Sequence, residues 1–114
     1  MERLKQRADY LAAAAGVKVP AAAFILQARA RGDTAPARFG FTATKKIGNA
    51  VERNRVRRRL REVVRLSATL PGAAGHDYVL IGRRTALTTP FARMVADFTG
   101  ALRRAHRQGA PERA

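Results

Sequence analysis

The chain has 114 residues, with 23 Lys and Arg against 8 Asp and Glu for a formal charge of +15, and it contains no Cys and no Trp. A hydrophobic share of 46%, much of it Ala, suffices for one modest core and excludes a second, so residues 1–114 are expected to form a single domain. Disulfide scaffolds, thiolate nucleophiles and thiolate zinc sites are excluded, two histidines (His76 and His106) make no imidazole cluster, and eight scattered carboxylates are too few for a dense two-metal site.

In chain order, Leu4, Ala8, Leu11, Ala12 and Ala15 recur at helical spacing ahead of Gly16 and predict a first helix over 3–15. Val17-Lys18-Val19, closed by Pro20, reads as a brief edge strand, and 21–30, with Phe24, Ile25 and Leu26, as a longer one. A turn by composition covers 31–36. A third strand spans 38–44, with Phe39, Phe41 and Ala43 on one face and Gly40, Thr42 and Thr44 on the other, in a hairpin or meander with its predecessor. Gly48 ends that pattern. Asn49 and Glu52 then have the spacing of a capping box, and a helix runs from there to about Ser67 or Ala68 before the loop 70–75. The last strand is 76–84, whose apolar run Tyr78, Val79, Leu80 and Ile81 belongs at the centre of a sheet covered on both faces. Thr88 or Thr89 caps a final helix with Pro90 at its first position. Phe91, Met94, Val95, Phe98, Leu102 and Ala105 form its buried stripe, and a frayed tail follows over 108–114. A strand, a helix and a strand in succession imply a crossover, hence a two-layer α/β domain on a mixed sheet.

Charge is focused in residues 45–65, which hold nine basic and two acidic side chains, a net +7. Winding the helix at about 100° per residue puts Val56, Leu60, Val63 and Val64 on the buried face. One flank carries Asn54, Arg57, Arg58, Arg61 and Arg65 without an acid. The other carries Glu52, Arg55, Arg59 and Glu62, a pattern of solvated i, i+3 pairs. Like charges at these spacings repel by a few tenths of a kcal/mol per pair, so the first flank gains only from a polyanion. Arg53 and Arg55 oppose the dipole at the helix start. With Lys45, Lys46 and the N–H groups near Gly48 they converge where a phosphate would be held. The preference for Arg over Lys, 19 to 4, suits bidentate grasp of phosphate. Nucleic acid and anionic membrane are the partner classes this charge admits, and the apolar face of 49–68 is needed for the core and lacks the aromatics of a membrane-surface helix. The charged start and the absence of any run near ~20 apolar residues predict a cytoplasmic protein with no membrane association.

The stretch Phe-Thr-Ala-Thr-Lys-Lys-Ile-Gly-Asn-Ala-Val-Glu-Arg-Asn-Arg-Val-Arg-Arg-Arg-Leu-Arg-Glu at 41–62 resembles the signature of the bacterial ribonuclease P protein component, a likeness extending to Arg7-Ala-Asp-Tyr10, to 76–83 and to the last helix. The resemblance implies a four-stranded mixed sheet with three helices in the order α-β-β-β-α-β-α and a left-handed βαβ crossover. It implies a protein, monomeric within its holoenzyme, that assists an RNA subunit in removing the 5′ leader of precursor tRNA, with Mg²⁺ at the RNA active site carrying the chemistry. Lys45, Lys46, Asn49, Arg53, Asn54, Arg55, Arg57, Arg58 and Arg61 match the family's RNA-contacting motif, with Arg65 prolonging the stripe. The leader cleft would draw on Tyr10, Phe24, Thr42 and Thr44. Tyr10 suits either stacking on a base or packing its helix on the sheet, and Phe24 suits the cleft or, preferably, the core. The chain departs from the family at Ala14 and Gln27, where aromatics are common, which thins the stacking surface. The alternative is a structural RNA-binding protein of ribosomal type. An autonomous nuclease finds no motif among Asp9, Asp33, Asp77 and Asp97.

Overall fold

The computed structural model describes residues 2–67 and 74–108. Its elements are β1 (Glu2–Arg3), α1 (Arg7–Ala14), β2 (Val17–Pro20), β3 (Phe24–Ala30), β4 (Arg38–Thr42), α2 (Ala50–Leu66), β5 (His76–Gly82) and α3 (Phe91–Gln108), with short 3-10 turns at Lys45–Ile47 and Arg84–Leu87. They form an α+β domain around a mixed five-stranded sheet in the order β1-β4-β5-β3-β2. The β1–β4 and β4–β5 pairs are parallel, and β3 is antiparallel to both β5 and β2. The predicted α+β class, with three helices on a mixed sheet, holds, and α2 makes the crossover between the parallel neighbours β4 and β5.

Three expectations need correction. The first helix does not start at residue 3: Glu2 and Arg3 pair with Arg38 and Phe39 as a fifth, edge strand, and the Leu4 N–H donates to the Phe39 carbonyl at 2.9 Å. Leu4 is buried all the same, but from that strand and against Ala13 and Val79. Next, β3 and β4 are not a hairpin, because β5 inserts between them. A strand as apolar as β5 gains most from burial on both faces, and only the central place supplies that. Finally, boundaries contract: β3 starts at Phe24, β4 stops at Thr42 and β5 at Gly82, and α3 starts at Phe91 with the Pro90 carbonyl accepting the Met94 N–H. The Thr88 and Thr89 hydroxyls donate back to the Thr85 carbonyl. The loop 70–75 falls mostly, and the tail past 108 wholly, outside the described residues.

Alternation along the strands divides the side chains between two layers. One face carries the main core, where Leu26, Phe39, Phe41, Tyr78 and Leu80 meet Val56, Leu60 and Val63 of α2 and Met94, Phe98 and Leu102 of α3. α2 packs so closely that a Cβ on Gly82 would lie 2.3 Å from a Val56 methyl. On the opposite face α1 covers Val79, and Tyr10 lies on Gly40, where a Cβ would stand 2.6 Å from the ring.

The end of the sheet nearest the start of β5 is held by an ion cluster that no local pattern announced. The Asp77 side chain is fully buried and accepts from Arg38 Nε at 2.9 Å and Nη2 at 2.8 Å, and from Arg31 Nη1. Arg29 lies 3.7 Å away and Asp9 of α1 is 3.4 Å from Arg38. Arg31 also donates to the carbonyls of His76 (2.9 Å), Ala35 and Pro36 (3.0 Å each), which clamps the 31–36 turn to β5. Burial alone would raise the Asp77 carboxyl, yet the hydrogen bonds from Arg38 and Arg31 outweigh it and hold the group below its ordinary value. Nearby, the Tyr78 hydroxyl and His106 Nε2 are 2.6 Å apart, and burial together with the charge of His76 lowers the His106 pKa.

Asp77→Ala should therefore cost about 3 kcal/mol, because it leaves the partly buried guanidinium groups of Arg31 and Arg38 without their counter-ion; urea unfolding measures this. Both titrations act in the same direction. Asp77 and His106 bind protons more weakly in the folded than in the unfolded chain, so their stabilisation is complete above the unfolded values and is lost on acidification. The urea midpoint should drop modestly as pH falls below about 6.5 and steeply below about 4. A midpoint flat from pH 7 to pH 3 would contradict the assignment.

Candidate nucleic-acid interface

The cationic segment begins where β4 ends. Thr44 precedes the 3-10 turn Lys45–Ile47, Ile47 is buried, and Lys45 and Lys46 project into solvent. Gly48 turns the chain with φ 150°, and a Cβ there would strike the Glu52 carboxylate. The predicted capping box is present: Asn49 Oδ1 accepts the Glu52 N–H at 2.9 Å, and the Glu52 carboxylate accepts the Asn49 N–H at 3.1 Å. Arg84 locks it from the far side, donating to Glu52 Oε2 at 2.9 Å and to the Ile47 carbonyl. These hydrogen bonds, Arg84 foremost, keep the Glu52 carboxyl below its usual range.

Along α2 the predicted buried face, Val56, Leu60, Val63 and Val64, is the observed one. The two flanks divide differently from expectation. Glu52 pairs with Arg84 instead of Arg55, and the Glu62 carboxylate is gripped by Arg65 Nε at 3.0 Å to both oxygens, so the stripe is not free of acid at Arg65. Arg59 belongs to no solvated face: its Nε donates to the Ala86 carbonyl at 2.7 Å and its Nη2 to that of Thr89 at 2.5 Å, and its guanidinium lies over the Phe91 ring, 4.3 Å from the centroid. Burial first, and the charge of Arg55 second, lower its pKa. Arg53 turns back to donate to the Gly48 carbonyl at 2.8 Å, which makes it a brace of the turn, whereas Arg57 donates to Asn54. Arg61 is half-buried, with an Nε that meets no acceptor among the described residues.

Among the described residues Lys45, Lys46, Arg55 and Arg58 are exposed and none is in an ion pair. Arg55 and Arg58 join Arg59, Glu62 and Phe91 around an open pocket of about 370 Å³ between α2 and the first turn of α3. Phe91 and the ordered Arg59 were not foreseen as site residues; the Arg-rich helix carried the signal, but what it faces depends on the 3-10 turn Arg84–Leu87.

The expected leader residues separate. Phe24 is fully buried on the helix-covered face, edge-on to Phe98 at 6.4 Å, and so cannot line a cleft. Thr44 lies beyond the strand, exposed ahead of the turn. Thr42 is on the open face in register with Ile81, which pairs in turn with Ile25, and all three are half-buried. Tyr10 does pack its helix on the sheet, over Gly40, but remains half-buried at the margin of that row. Gln27, by contrast, is buried. Ile25 and Ile81 were missed because an apolar residue in a central strand reads as core from sequence.

The family model for ribonuclease P matches residues 1–106. The ribonuclease P protein component of Gluconacetobacter diazotrophicus is 51% identical over 109 residues, 95% of this chain and 94% of the relative. That of Caulobacter vibrioides is 49% identical over 102 residues, 89% of this chain and 68% of the relative. Among solved structures, the ribonuclease P protein from Thermotoga maritima is similar with a TM-score of 0.74 and 27% identity, over 91% of this chain and 97% of that one. The protein from Staphylococcus aureus, at 24% identity, has the same fold, with a TM-score of 0.73 over 92% of this chain and 95% of that one.

Asn49→Ala removes the oxygen that caps the Glu52 N–H and should cost about 1 kcal/mol of stability, measured by urea unfolding. A loss no larger than that of an exposed substitution such as Lys18→Ala would mean that the cap does not anchor the turn.

Proposed function

The chain belongs to the ribonuclease P protein family, and we propose that it serves tRNA processing by binding the catalytic RNA through the outer surface of α2 and the 5′ leader of precursor tRNA through the open face of the sheet. In this reading the holoenzyme is an endoribonuclease whose RNA subunit, with Mg²⁺, hydrolyses the phosphodiester. The protein alone is inactive, monomeric in the assembly and cytoplasmic. No helix among the described residues is long and apolar enough to cross a membrane.

One observation carries the reading: cations and acids of this chain are sorted. Of the seven carboxylate residues among the described ones, Asp9, Asp33, Asp77, Glu52, Glu62 and Asp97 lie within ion-pair distance of arginines and Glu2 does not, while Lys45, Lys46, Arg55 and Arg58 stand exposed along the turn and α2 with no counter-ion among the described residues. A protein with nearly all of these carboxylates engaged offers charge to a polyanion and leaves metal ligation to the RNA. Exposed Arg with free donors suits phosphate, and releasing condensed counter-ions supplies salt-dependent affinity. The half-exposed row Ile25, Ile81 and Thr42 beside Tyr10 gives single-stranded nucleotides an apolar floor with an aromatic margin.

The two surfaces should separate in a reconstituted reaction with the catalytic RNA. Arg55→Ala, which disturbs no internal hydrogen bond, should weaken assembly at low Mg²⁺ about tenfold and lower the slope of log affinity against log salt by about one. Tyr10→Ala should mainly reduce discrimination between precursor and mature tRNA; unchanged discrimination removes Tyr10 from leader binding. Failure of the intact protein to stimulate 5′ cleavage at low Mg²⁺ would replace the whole reading with that of a structural RNA binder.

A further inference from the structure

The pocket between α2 and α3 has the chemistry of a nucleotide site. Its volume of about 370 Å³ lies within the range of small-molecule sites, and its wall holds Arg55, Arg58, Arg59, Glu62 and Phe91. Arg59 is fixed by two carbonyl acceptors over the Phe91 ring, so a cation and an aromatic surface are already ordered before any ligand arrives. Arg55 and Arg58 make no hydrogen bond or ion pair among the described residues and keep their donors free for a phosphate. Glu62 supplies the acidic wall, and its partner Arg65 is largely solvent-exposed, so that pair rearranges at little cost.

A carboxylate discriminates sharply among RNA bases. Guanine presents two adjacent donors, N1–H and the N2 amino group, which one carboxylate can accept together. Adenine and cytosine set a ring-nitrogen lone pair beside their amino group, and uracil flanks its N3–H with two carbonyl oxygens, so each of these repels the second carboxylate oxygen. We infer that this pocket takes an unpaired guanosine nucleotide of the partner RNA, with the base against Phe91 and Arg59, its donor edge on Glu62, and its phosphate held by Arg55 and Arg58. The inference rests on the chain's being an RNA-binding subunit and adds which nucleotide α2 reads, so that this helix contributes base recognition as well as charge.

The test is NMR titration of the isotope-labelled full chain with GMP, AMP, CMP, UMP and inorganic phosphate, following the Phe91 and Glu62 amides and the Arg59 Nε–H. GMP should move all three and bind about fivefold tighter than the other nucleotides or more, and phosphate should leave Phe91 unmoved. Glu62→Gln should erase the guanine preference. Phe91→Leu, which keeps an apolar side chain at the α2–α3 contact, should weaken GMP and the catalytic RNA alike by about fivefold, with thermal unfolding reporting that the fold persists. Equal shifts with all five ligands, or none at Phe91, overturn the inference. If the catalytic RNA binds tightly and indifferently to Phe91→Leu, the pocket falls alone. If GMP binds selectively and the catalytic RNA does not bind at all, the ribozyme reading falls and the pocket stands.

Discussion

One buried carboxylate organises this fold. Asp77 is the second residue of the central strand, and its register partners are Arg29 on β3 and Arg38 on β4, with Arg31 reaching in from the following turn. A chain with 23 basic side chains must keep its cations apart or neutralise them, and Arg29, Arg31 and Arg38 converge at one end of the sheet. Fully desolvating a lone Asp would be prohibitive; surrounded by three guanidinium groups it becomes the cheaper alternative to leaving those groups unpaired. Asp9 extends the cluster to α1, so a single ionic knot fastens three strands, the 31–36 turn and the first helix. Hydrophobic burial could drive collapse of such a chain. The knot adds a requirement of register, since a one-residue slip of β5 would turn the Asp77 carboxylate away from Arg29 and Arg38 to the other face of the sheet.

With part of the positive charge consumed internally, what remains outside is selected by the helices. α2 must turn Val56, Leu60, Val63 and Val64 down onto the sheet, and the close approach at Gly82 leaves no freedom in how it lies. Its other residues then face outward by geometry alone. The surface is nevertheless far from uniform, because Arg53 braces Gly48, Arg59 spans to Ala86 and Thr89, and Arg65 holds Glu62. The arginines of such a helix are therefore not interchangeable: some hold the fold through an acceptor of their own, and a substitution that leaves the fold intact is one at a guanidinium with no acceptor among the described residues.

Those distinctions bear on what could be read from sequence. The buried face of α2, its capping box, the stripe of α3 and the edge position of β2 all follow from periods or spacings within a few residues, and each is where it was expected. Local rules miss what is held by distant partners. Arg38 meets Asp77 across 39 residues and Arg59 meets Ala86 across 27, so neither contact leaves a trace in hydropathy or spacing. Glu2–Arg3 is too short to show any alternation and exists only because β4 offers an edge. The same limit misled the candidate site: Phe24 and Ile25 are neighbours of similar hydropathy in one strand, and only the placement of α1 and α3 on opposite faces decides that Phe24 is core and Ile25 borders the open face. The dipole argument at the start of α2 shows the converse: Arg53 does stand near the positive end of the helix, and the structure supplies an internal reason, its hydrogen bond to the Gly48 carbonyl.

The position of β5 finally explains how one small domain can present two independent surfaces. Its residues alternate, with Tyr78 and Leu80 under α2 and α3, and Val79 and Ile81 under or beside α1. A change at Ile81 or Tyr10 is therefore separated from Arg55 and the α2–α3 pocket by the thickness of the sheet and shares no partner with them, the condition under which free-energy effects add. Asp77 is the exception. It belongs by register to the α1 face, but through Arg31 and Arg38 it fixes the strands on which both layers rest. A substitution whose effect is confined to one surface thus reports on that surface, whereas one that disturbs both reports on the strands they share, so the fold itself supplies the control for separating contact from structure.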